Sequence, residues 1–147
     1  MVRLTLALLT VWSLQVTYAQ TGSRIEVAPG LVQIAADGQC SLLEALVNAN
    51  QDAAVHPDCQ AGSGADVVVL APSARYVLTE PFAYDSLRGA SGLPTLTGVL
   101  TIEGQGAVLT RDSTLSCEPA QAFRIGYLAP EAQMRLYDLT LQYGCGQ

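Results

Sequence analysis

The chain contains no lysine. All seven basic residues are arginines, set against thirteen acids and one histidine, for a formal net charge of −6. With so few cations there is no basic patch to displace counterions from phosphates, which disfavours a nucleic-acid partner. For the same reason the chain offers no basic face to anionic lipid, and its negative balance serves solubility. It also lacks an N-x-[ST] sequon, a GK[ST] after Gly104-Gln105-Gly106, and any paired CxxC or HxxxH spacing. Nucleotide loops and zinc frameworks are therefore disfavoured. Ser63 sits in Gly62-Ser63-Gly64, not in a G-x-S-x-G elbow, and nothing orients the lone His56 toward it. Beyond the first twenty residues no apolar run is long enough to span a membrane.

What is abundant is apolar surface. Half the 147 residues are hydrophobic and 14% are charged, enough for one domain with a modest core and not the composition of a disordered chain. Residues 1–19 read as a secretory signal. Arg3 precedes an apolar run, and Thr17-Tyr18-Ala19 places small residues where signal peptidase cuts. The mature chain is then expected to be secreted or displayed at the cell surface, without a membrane span. Export changes how the cysteines read, because an even set in an oxidising compartment favours disulfides. Cys40, Cys59, Cys117 and Cys145 allow three pairings, of which the simplest joins neighbours. The HPDC stretch that ends at Cys59 has metal-ligand types without metal-ligand spacing.

Residues 20–65 are expected to form an N-terminal cap containing one short helix. Ser41 and Glu44 have the spacing of a capping box, in which each side chain satisfies the other residue's backbone N–H. Leu42, Ala45, Leu46 and Ala49 follow on one face, with Glu44, Asn48 and Gln51 away from it and Asn50 as terminator. The helix predicted over residues 42–49 is about two turns, too short to persist unaided. A Cys40–Cys59 bridge would tie its start to the loop that follows.

Residues 66–147 change texture. Ahead of them Ile25 and Val27 suit an edge strand, and Val67-Val68-Val69-Leu70 suits a strand buried on both faces. Tyr76-Val77-Leu78-Thr79 follows, then a loop over 82–94. Two strands at 99–103 and 107–111 flank the glycine turn, and short apolar runs follow at 122–125 and 134–143. In the last run Met134 and Leu136 share one parity while Leu139, Leu141 and Tyr143 share the other. A bend near Tyr137-Asp138, splitting the run into two short strands, keeps the apolar side inward. Short strands in couplets, with glycine turns and no intervening helices, fit an all-β solenoid better than a sandwich.

Cys40-Ser41-Leu42-Leu43-Glu44-Ala45-Leu46, followed by Asn48-Ala49-Asn50, resembles the CSLREA motif that opens a group of secreted bacterial proteins. The later segments agree in order, from Gly62-Ser63-Gly64-Ala65-Asp66 to LYDLTLQYG at the end, so the resemblance covers about residues 25–144. It implies a right-handed parallel β-helix, an adhesin-like or autotransporter-like surface setting, and no catalytic residues. It also implies further coils, so that residues 66–147 would be the first coils of an incomplete solenoid, or of a short protein that self-associates at its open edge. Leu43 stands where the motif has arginine, so no charge pairing carries over to that position.

No catalytic, cofactor-binding or metal-binding residue is assigned, and no cofactor is expected. The serious rival is a glycan-active β-helix enzyme, a polysaccharide lyase or hydrolase, which needs clustered carboxylates. The strand-borne candidates, Glu103, Asp138, Arg124 and Arg135, read as charges on a solvated face. Tyr76, Tyr84, Tyr127, Tyr137 and Tyr143 are assigned to packing, although exposed tyrosines could stack on sugars. Surface glycans and other surface proteins are the expected partners.

Overall fold

In the computed structural model, residues 21–145 are described; the signal expected over residues 1–19 lies outside them. The chain is mostly β, with one helix and largely parallel pairing. None of its helices is long and apolar enough to cross a membrane, among the described residues.

Strand β1 (Arg24–Glu26) is followed by helix α1 (Leu42–Gln51), β2 (Ala65–Val69), β3 (Arg75–Leu78), β4 (Ala83–Asp85) and β5 (Gly89–Ser91). Then come β6 (Thr95–Leu96), β7 (Val99–Arg111), β8 (Tyr127–Leu128) and β9 (Gln133–Gln142). Three parallel ladders organise them. The first runs β1, β2, the start of β7 and the start of β9, with Ile25, Val68, Ile102 and Leu136 in register. The second stacks β3, the end of β7 and the end of β9, aligning Tyr76, Leu109 and Leu141. The third joins β6 to β8, continues through Gly92 N–H to Arg124 C=O and Leu93 N–H to Ile125 C=O (both 2.9 Å), and reaches Cys145 N–H on Phe123 C=O (3.0 Å). Ile25, Val68, Leu100, Ile102, Tyr76, Leu109, Leu93 and Phe123 meet in one buried core.

The corner between the first two ladders repeats. Ser73, Gln105 and Asp138 adopt φ of 54°, 50° and 47°, a left-handed conformation that turns the chain. Ser73 N–H donates to Gln105 C=O (3.0 Å), and the Gln105 Nε2 donates to Leu70 C=O (3.1 Å). The apolar phase slip at Tyr137-Asp138 falls on this corner, but the expected split into two strands is corrected: β9 continues through it as one strand, and Leu136 and Leu139 line the same interior. The expectation of two strands around Gly104-Gln105-Gly106 is corrected, because β7 is one bent strand with its register shift between Glu103 and Ala107. Gly104 is required there, since a Cβ would run into the Asp138 carbonyl of the adjoining strand.

Two further expectations change. The loop at 82–94 contains an antiparallel hairpin, β4–β5, in which Asp85 Oδ1 accepts from the Leu87 and Arg88 N–H groups (both 2.8 Å) and Gly89 takes φ 80°. Asp at the first turn position and Gly at the left-handed one are the chemistry of a short hairpin loop. The helix extends to Gln51 and ends on Asp52 (φ 48°), not on Asn50. The Asn50 carboxamide instead donates to Thr95 C=O (2.9 Å) and accepts from Thr97 N–H (3.0 Å).

Candidate functional site

The cysteines pair as neighbours, Cys40 with Cys59 and Cys117 with Cys145, with Cα separations of 4.6 and 5.6 Å. At the helix start, Glu44 N–H donates to Ser41 Oγ (3.4 Å) and Ser41 N–H donates to Glu44 Oε2 (2.9 Å). Glu44 and Asn48 are buried, contrary to the solvent-facing placement expected of them. Loops cover that face as well, and hydrogen bonds make the burial tolerable. Glu44 Oε1 accepts from Ala35 N–H (3.1 Å). Asn48 Nδ2 donates to the His56, Cys59 and Gln60 carbonyls, and its Oδ1 accepts from His56 N–H (2.8 Å). Leu43 is buried in the apolar core as a packing residue.

The opposite end of the core is open. Met134, Leu136, Leu139 and Leu141 of β9, with Leu93 and Ile125, border an apolar pocket of about 250 Å³. Leu136 and Leu141 are 39% and 47% exposed, while their register partners Ile102 and Leu109 are buried. The same inward positions are thus covered on β7 and uncovered on β9.

The charged candidates do not gather into one centre. Glu103 pairs with Arg24 (2.8 Å), and Arg135 lies exposed on β9. Asp138 shares a shallow hollow with Glu103, Gln105 and Tyr137. Among the described residues, no three His, Cys, Asp or Glu side chains converge on a metal-holding geometry. Arg124 lies on the third ladder, and its buried Nε–H has no acceptor among the described residues. Beside it Arg88 rests over the Tyr127 ring, 4.7 Å from the centroid, and contacts Asp85 (3.5 Å). The Leu87 amide, followed by the Arg88 amide and guanidinium, holds the Asp85 carboxyl below the usual carboxylate range.

The tyrosines divide. Tyr76 is fully buried, with its hydroxyl donating to Ala28 C=O (3.2 Å) and accepting from Ala71 N–H (3.0 Å), and burial pushes its phenol upward. Tyr84 is 78% exposed, and Tyr137 and Tyr143 are also exposed, so packing does not account for these three.

Reading the sequence by motif also misses Arg111. It is buried without a carboxylate: Nε donates to Tyr143 C=O (2.8 Å), and the terminal nitrogens donate to Ser116 C=O (3.2 Å) and Leu115 C=O (2.8 Å). Its only sequence signal is its parity, since it follows Ala107 and Leu109 on the inward side of a strand. No family model, no curated protein and no solved structure matches the chain.

Proposed function

We propose that the chain is the capped start of a right-handed parallel β-helix and serves as a non-enzymatic, adhesin-like or structural module, secreted or held at the cell surface. The observation that supports this best is the recurrence of parallel register on three sides, with a left-handed corner at Ser73, Gln105 and Asp138. Parallel strands joined by crossovers in one sheet are right-handed in nearly all proteins, which favours that hand here. Two disulfides fit an oxidising compartment. Helix α1 covers one end of the core, with Leu42, Leu43 and Leu46 among the residues it buries. It would shield an end that otherwise recruits another chain. The exposed leucines of β9 would be covered by a second copy of the chain.

The test is to express the chain with residues 1–19 in a bacterial secretion host. The expected product is exported, begins after Ala19, carries no free thiol, and leaves a panel of polysaccharides intact. Calcium-dependent release of unsaturated sugars, or new reducing ends, would replace this reading with a glycan-active enzyme.

A further inference from the structure

Strand β9 is partnered on one edge. It pairs with β7, and no strand lies on its other side among the described residues. Its sequence, QMRLYDLTLQ, has the same polar and apolar order read from either end, about the Tyr137–Asp138 bond. The corner makes this so. Met134 and Leu136 before it, and Leu139 and Leu141 after it, all border the apolar pocket, while Tyr137 and Asp138 border the outer hollow. Arg135 and Asp138 are the two charged residues of β9. Both are exposed, and neither has an ion-pair partner among the described residues.

We propose that β9 pairs antiparallel with β9 of a second copy, about a two-fold axis through the Tyr137–Asp138 corner. Two identical ends that meet face to face are related by such an axis, and it reverses one strand against the other. Met134 then faces Leu141 of the other copy, and Leu136 faces Leu139, so that apolar side chains meet on the inner side throughout. A slip by one residue would set Leu136 opposite Thr140, on the wrong face. On the outer side Arg135 lies diagonal to Asp138 of the other copy, within reach of a long side chain, and the pair occurs twice. Opposite charges meet and like charges do not. Head-to-tail stacking lacks a receiving surface, because helix α1 covers the far end of the core and Ile25 of β1 is already fully buried. The assembly therefore closes as a dimer and does not extend into a fibre. The inference rests on the surface-module reading, and gives the second copy in that reading its register.

The experiment mixes isotope-labelled and unlabelled exported protein, records Overhauser contacts between copies, and follows assembly by sedimentation. A dimer with no larger species is expected, with contacts from Met134 to Leu141 and from Leu136 to Leu139 between copies. Leu136→Arg should weaken the dimer at least about 30-fold, with unchanged circular dichroism. Arg135→Glu leaves the apolar side untouched and sets acids diagonally opposite, so it should weaken the dimer about 3- to 10-fold. Species that grow past the dimer, contacts between β9 of one copy and β1 of the other, or unchanged affinity in Arg135→Glu would each overturn the proposal. A protein that stays monomeric, with strand-dominated circular dichroism and no free thiol, loses the dimer and keeps the surface-module reading.

Discussion

At the scale of single residues, stability depends on buried polar groups that serve loops. Asn48 joins the helix to the His56–Gln60 loop through donor and acceptor alike. Asn48→Ala would strip three carbonyls and one N–H of their partner and should cost about 3 kcal/mol in urea denaturation. Asn48→Asp should be at least as damaging, because a carboxylate has no donor for those carbonyls. Survival of either variant within experimental error would show that the loop does not depend on this side chain. Arg111 holds residues 115, 116 and 143 together. Arg111→Met is expected to lose about 2 kcal/mol, and Arg111→Lys to recover less than half, since an ammonium lacks the planar fork. None of this was visible as function in the sequence. Asn48 looked solvent-facing and Arg111 was one inward position among several, and only the folded loops around them supply their partners.

At the scale of elements, the helix and most strands were legible, because their signals are local. The Ser41–Glu44 spacing marks the helix start, and alternation marks Leu100, Ile102, Ala107 and Leu109 as inward. What local pattern could not show was the β4–β5 hairpin, where Asp85 and Gly89 bracket a short loop in a stretch too brief for alternation. Nor could it show that β7 passes through its corner unbroken. Gly104→Val should destabilise the fold by more than about 2 kcal/mol, because the added side chain meets the Asp138 backbone. Gly98→Ala, at a left-handed position with open space around it, should cost less. The hairpin has a pH dependence of known sign. The Asp85 carboxyl is depressed by the Leu87 amide first, so its contribution is present above its unfolded value, near ~4, and is lost as pH falls through the lower folded value. The Leu87 and Arg88 amide resonances should shift together below that point, and Asp85→Asn should abolish the transition.

For the whole molecule, helix α1 covers one end of the core, while the β9 end exposes apolar side chains. Replacing Cys40 and Cys59 by serine removes a bridge spanning 19 residues, a loss of about 3 kcal/mol on the chain-entropy account. The β9 end carries Leu136 and Leu141 into solvent. Sedimentation of the 147-residue chain should therefore show concentration-dependent association, and Leu141→Arg should leave a monomer with unchanged circular dichroism. A monomer at all concentrations would mean that the end tolerates water. The parallel coil is the claim on which the rest depends, and nuclear Overhauser contacts test it directly. Backbone contacts should link Val68 to Ile102 to Leu136 on one side and Tyr76 to Leu109 to Leu141 on the next, all in parallel register. Antiparallel contacts across these strands, or a left-handed path through them, would contradict it.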